Sequence, residues 1–116
     1  KYNIFGYKGK QVRDNIHSKD VASFIKYFIE KPRIGEVYNL GGGKNNSVSI
    51  KEAFKLVSSI TGNEMIYSYN KINRIGDHVC YFSDLKKSKK HYPNWKITYD
   101  LKKIISDTAE IFLYKK

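Results

Sequence analysis

Three stretches of apolar residues at helical spacing, set against strand candidates that are few and short, limit what this chain can fold into. Val21, Phe24, Ile25, Phe28 and Ile29 form one stripe. Ala53, Leu56, Val57 and Ile60 form a second, and Leu101, Ile104, Ile105, Thr108 and Phe112 a third. Each repeats every three to four residues, the signature of a helix with one buried face. Strand character is confined to short runs within residues 4–17, to Glu36–Leu40, to Met65–Tyr69 and to Val79–Phe82. These cannot make a complete sheet, so part of the apolar surface is expected to need a partner domain. The order helix, strand, helix, two short strands, helix makes this an α/β chain, and no fixed-period repeat points to a solenoid.

Local signals set the helix ends. Ser18 is the expected N-cap of the first helix, with Asp20 complementing its positive end, and Lys31-Pro32 stops it. Ser49-Ile50-Lys51-Glu52 reads as a capping box and Gly62 as the C-cap of the same helix. A short lysine-rich helix is expected over Leu85 to Lys90, broken by Pro93, and Asp100 caps the last helix. Trp95 is expected to pack that helix against the rest.

At 116 residues the chain is one domain at most, large enough to bury a core. Cys80 is the single cysteine, so no internal disulfide forms and a reducing, cytoplasmic setting fits. No apolar run nears the roughly 20 residues that a membrane span requires. The first residues carry neither a signal peptide nor an initiator methionine, so the chain reads as a piece of something longer. A net charge of +11 raises nucleic acid as a partner. However, all but three of the 22 basic residues are lysines scattered along the chain, with one local cluster at Lys86, Lys87, Lys89 and Lys90. Dispersed lysine describes a solvated surface, and no nucleic-acid motif accompanies it.

Two of the three arginines lie in distinctive loops. Arg13 sits in Gly9-Lys10-Gln11-Val12-Arg13-Asp14-Asn15-Ile16-His17, and Arg74 in Asn73-Arg74-Ile75-Gly76-Asp77-His78. A guanidinium grips a diphosphate through forked hydrogen bonds that lysine cannot copy, so the pair reads as a nucleotide-diphosphate clamp. The duller alternative pairs Arg13 with Asp14 and Arg74 with Asp77 as surface ion pairs worth at most about 1 kcal/mol. Asp14 and Asp20 are expected to hold the Arg13 segment and the following helix start in place. His17 and His78 read as hydrogen-bonded packing residues and His91 as exposed. With Cys80 they show no ligand spacing, so no metal is expected. Gly41-Gly42-Gly43 is neither G-x-G-x-x-G nor a P-loop and is given a shaping role.

These runs, together with Tyr38-Asn39-Leu40-Gly41-Gly42-Gly43 and Tyr92-Pro93-Asn94-Trp95, resemble the C-terminal part of an extended short-chain dehydrogenase/reductase acting on nucleotide sugars. The wording around Gln11, Asn15 and His78 is most similar to the CDP-paratose (CDP-tyvelose) 2-epimerases. The resemblance spans essentially the whole chain. It implies that residues 1–116 are the substrate-binding portion of a Rossmann-type enzyme whose Rossmann half is absent here. Arg13 and Arg74 correspond to diphosphate-contacting arginines, Asp77 to a carboxylate near the ribose, and Gln11 to a further substrate-binding position.

For the longer enzyme the resemblance implies a bound NAD, a keto intermediate, inverted return of hydride to a CDP-linked deoxyhexose, and a homodimer. This piece alone is expected to be inactive, to bind no NAD and to contribute no catalytic residue. The superfamily's Tyr-x-x-x-Lys pair occurs at Tyr27/Lys31 and at Tyr67/Lys71, but neither follows a dinucleotide-binding half, and both are rejected. Two other readings stay open: a free-standing basic module that binds nucleic acid, and a non-catalytic interaction fragment.

Overall fold

The computed structural model describes residues 1–113. Its strands are β1 (Tyr2–Phe5), β2 (Val12–Asp14), β3 (Ser47–Ser49) and β4 (Tyr67–Asn70). Its helices are α1 (Ser18–Glu30), α2 (Ile50–Thr61), α3 (Lys86–His91) and α4 (Leu101–Leu113). The α/β expectation of three main helices with a few short strands holds. β1 pairs with β4 in parallel, and β2 pairs with β3 antiparallel, placing Arg13 opposite Val48 and Asp14 opposite Ser47.

The anticipated helix ends mostly form. Ser49 and Glu52 make the reciprocal capping box of α2, and the Ser49 hydroxyl and backbone N–H, both donating to Glu52 Oε2, hold the Glu52 carboxyl below its ordinary range. Gly62 closes that helix in the left-handed conformation, and the Asp100 carboxylate accepts from Lys103 N at 2.8 Å. The cap of α1 is one residue earlier than expected. His17 keeps an extended backbone and its Nδ1 accepts from Lys19 N at 3.1 Å, so Ser18 is already helical. The His17 ring also stacks on Tyr99, with centroids 4.0 Å apart.

Two strand expectations need correction. Glu36–Leu40 forms no strand, because no neighbouring backbone pairs with it. Side chains hold it instead: Tyr38 and Leu40 pack on the core, and Ser88 Oγ donates to Asn39 O at 3.0 Å. Val79–Phe82 reduces to a single parallel bridge between Cys80 and Val12. His91 is not exposed as expected. It is half-buried and shares a 2.8 Å hydrogen bond with the Tyr38 hydroxyl.

The core gathers Phe24 of α1, Leu85, Tyr92 of the turn after α3, and Trp95. Phe24 lies edge-on to Tyr38, Tyr92 and Trp95 at 5.1–5.4 Å, the T-shaped geometry that aromatic quadrupoles favour. Trp95 is 1% exposed, and its indole N–H donates to Asp20 O at 2.9 Å, so it ties the following segment to α1 rather than fastening α4.

The expected role of Asp20 in holding the helix start is also revised. The side chain is buried and accepts from Thr98 N, Thr98 Oγ1 (2.7 Å) and Tyr99 N (3.1 Å). Three donors thus converge on one carboxylate, which offsets the cost of burying its charge. The molecule measures 46 × 38 × 20 Å. At that thickness many apolar side chains cannot be covered, and Ile25, Ile29, Ile34 and Val37 stay exposed on the α1 side. Among the described residues no helix is long and apolar enough to cross a membrane.

Candidate functional site

A four-residue turn, Gly6 to Gly9, starts the site. All four residues have positive φ, with Tyr7 at 48° and Lys8 at 55° between the two glycines. Side-chain-bearing residues in this region cost about 1–2 kcal/mol each, and here neighbouring structure holds them. Gly6 abuts Asn73 so closely that a Cβ would overlap it. The turn throws the Tyr7 ring toward the Asn73–His78 loop, where its hydroxyl donates to Asp77 O at 3.4 Å and accepts from Asn73 Nδ2 at 3.2 Å.

That loop closes with Asp77 N donating to Arg74 O at 3.2 Å, and Gly76 adopts a positive φ. The Asp77 side chain, 8% exposed, becomes the hub of the site. Arg13 Nη2 lies 2.7 Å from Asp77 Oδ1, and Arg74 Nη2 lies 3.8 Å from Oδ2. Gln11 is buried beneath them. Its amide nitrogen donates to Phe5 O at 2.5 Å and reaches Asp77 Oδ2 at 3.5 Å, while its Oε1 has no hydrogen-bond partner among the described residues.

The structure therefore brings Gln11, Arg13, Arg74 and Asp77 into one cluster. Arg13 pairs with Asp77 and not with Asp14. Two guanidiniums around one carboxylate leave net positive charge, and the Arg13 and Arg74 side chains are 39% and 69% exposed. Their unused N–H groups are accessible to an incoming anion, with geometry suited to phosphate oxygens. Tyr7 and Asn73, which buttress this cluster, were not recognisable as site residues in the sequence. The only signal was the Gly6/Gly9 spacing, which announced a bend without saying what it would carry.

Asp14 works on the other side of β2. Its Oδ2 accepts from Gly43 N at 2.9 Å and from Ser83 N at 3.0 Å. Burial pushes this carboxyl up, but the hydrogen bonds from Ser83 and Gly43 together outweigh it and leave it below the ordinary range. These contacts also explain the triple glycine. A Cβ at Gly42 would collide with the Asn15 carbonyl oxygen, and one at Gly41 with Ser83 and Asp14. The Gly43 amide is committed to Asp14, in keeping with a shaping role for this turn. Tyr27 lies on α1 and Tyr67 on β4, each outside the cluster.

No protein-family model matches the chain. The chain is similar to the CDP-paratose 2-epimerase of Salmonella typhi, at 35% identity over 83 residues, which is 68% of this chain and 24% of that protein. It is similar in fold to the UDP-glucose 4-epimerase of Thermotoga maritima solved with UDP-glucose, with a TM-score of 0.81 and 29% identity over 97% of this chain and 35% of the other. It also matches the dTDP-glucose 4,6-dehydratase of Bacillus anthracis solved with NAD, with a TM-score of 0.79 and 26% identity over 98% of this chain and 34% of the other. The chain thus spans about a quarter of the curated relative and about a third of each of these solved structures.

Proposed function

We propose, this chain being a C-terminal part of the extended short-chain dehydrogenase/reductase fold found in nucleotide-sugar epimerases and dehydratases, that its Arg13–Asp77–Arg74 cluster anchors the diphosphate of a nucleotide sugar. One observation carries this reading. Two arginines, Arg13 on β2 and Arg74 on the loop 73–78, converge on a single, nearly buried carboxylate. Arg13 and Arg74 supply forked donors to the diphosphate, and Asp77, an acceptor-only group, offers itself to ribose hydroxyls. Gln11 supports Asp77 from below and completes the substrate-binding set.

The similarity to a CDP-paratose 2-epimerase supports a CDP-linked deoxyhexose as substrate, epimerised at C2 by a longer enzyme; that this enzyme is cytoplasmic and homodimeric is part of the proposal. A related dehydratase was solved with NAD, and NAD is the cofactor proposed for that longer enzyme. The chain spans about a third of that structure, and on this reading cofactor binding and catalysis belong to residues outside 1–116. On this reading the chain alone turns over no substrate.

Calorimetric titration with CDP tests the anchor. Binding by the chain, weakened at least about tenfold by Arg13→Ala and by Arg74→Ala, is the expected result. Unchanged affinity in both variants overturns it. A single-stranded oligonucleotide that binds more tightly than CDP, with affinity falling steeply between low and high salt, would favour the nucleic-acid reading instead.

A further inference from the structure

A concave region elsewhere shares no lining residue with the arginine cluster. It is a cavity of about 1050 Å³ between the turn after Gly42, the segment from Phe82 into α3, and the segment from Pro93 into α4. Five lysines line it: Lys44, Lys86, Lys89, Lys96 and Lys103. Two acids also line it, so the lining carries an excess of positive charge, and each acid accepts one backbone N–H at a chain turn. Asp84 Oδ1 accepts from Lys86 N at 2.9 Å, and Asp100 Oδ1 accepts from Lys103 N at 2.8 Å. Among the described residues none of these five lysines is in an ion pair.

The frame around these charges is fixed. Leu85 and Trp95, both buried, form part of the wall. The turn carrying Lys44 is pinned by Asp14 through Gly43 N, and Asn46 Nδ2 donates to Tyr99 O at 2.7 Å. Lys103 Nζ sits 4.6 Å above the Tyr99 ring, which is itself stacked on His17. Like charges held around one concavity by rigid elements, against a low-dielectric wall, raise the local potential and concentrate counter-anions there. Lysine binds phosphate as a compact point charge, without the planar fork of arginine.

We infer that this cavity binds a small anion carrying two or more phosphate groups, either a free oligophosphate or the phosphate tail of a nucleotide. The observation is five unpaired lysines around one pocket of small-ligand size. A nucleic acid fits less well, because three segments enclose the charges instead of spreading them along a track.

The test is calorimetry on the chain with inorganic tripolyphosphate and, separately, with ATP. The triple variant Lys86→Gln, Lys89→Gln, Lys103→Gln keeps the apolar stems and replaces exposed side chains, so its fold is retained. The expected result is binding of both probes, weakened about tenfold or more by the triple variant and less than about twofold by Arg13→Ala. Equal affinity for the two probes assigns recognition to the phosphates, and tighter ATP binding adds a contact to the base; either supports the cavity. Absence of binding overturns the inference. So does loss on Arg13→Ala with retention in the triple variant, which would move the anion to the arginine cluster. Tighter binding of a thymidine oligonucleotide than of tripolyphosphate overturns it in favour of a nucleic-acid surface. The titrations are repeated in the Arg13→Ala, Arg74→Ala chain, where binding that persists belongs to the cavity and binding that vanishes overturns the inference, whatever CDP does at the arginine cluster.

Discussion

Arg13 and Asp77, 64 residues apart in sequence, meet at 2.7 Å between β2 and the loop that carries Arg74. The acid is nearly buried and the base partly exposed, so the pair lies between the weak surface bridge and the strongly coupled buried one. Its geometry holds the guanidinium with one edge spent on the protein and donors left over. Replacing Arg13→Lys keeps the charge and removes the fork. CDP affinity is expected to fall about tenfold by calorimetry, with circular dichroism unchanged. Affinity equal to the unmodified chain would mean that charge alone suffices.

Asp20→Asn leaves the size of the side chain intact but presents an amide N–H to donors. Thr98 N, Thr98 Oγ1 and Tyr99 N all give hydrogen bonds to this buried carboxylate. Urea unfolding is expected to show a loss of about 2–4 kcal/mol. Thr98→Val removes only the hydroxyl and should cost about 1 kcal/mol. Equal losses for the two variants would contradict a hub centred on the carboxylate.

Gly42→Ala places a methyl group against the Asn15 carbonyl oxygen and the Asn46 side chain. Backbone cannot step aside as a flexible side chain can, so a loss of about 2 kcal/mol or more is expected. Thermal unfolding reads it directly, as a fall of roughly 10 °C for a domain of this size. A midpoint within a degree of the original would show that the turn has room to spare.

Acid should expose Asp14. Its carboxyl titrates below the ordinary 3.8 in the folded chain, because the Ser83 and Gly43 hydrogen bonds outweigh its burial. The unfolded chain therefore takes up the proton first as pH falls. The stabilisation is complete above about pH 5 and drains away as pH drops through 3.8 toward the folded value. Asp14→Asn should flatten the stability curve between about pH 5 and pH 3. A slope there equal to the parent's would assign acid sensitivity to other groups, among them Glu52, whose carboxyl is also held down by Ser49.

Helix positions were legible because capping is local. Ser49, Glu52, Gly62 and Asp100 each act within a few residues of themselves. The convergence of Arg13 and Arg74 was legible only through the wording of two segments, one of which folds as β2, since nothing local to Arg13 names Asp77 as the meeting point. Long-range pairing was not legible. Glu36–Leu40 has the residues of a strand but lacks a neighbouring backbone, and strand propensity by itself supplies none. Asp20 looked like a helix-dipole residue because its partners stand 78 and 79 positions away. His17 displaced Ser18 as the cap because a ring nitrogen reached the Lys19 amide, an option residue preferences rank low.

β2 is only three residues long, yet it mounts two devices back to back. Alternation sends the Arg13 side chain toward Asp77 and the Asp14 side chain toward the amides of Gly43 and Ser83. A slip of one residue would exchange them. Carboxylate would then confront carboxylate on one side, and guanidinium would face amide hydrogens on the other, donor against donor. The spacing between Gly9 and Val12 is thus fixed by electrostatics at both faces, and it tolerates neither an insertion nor a deletion.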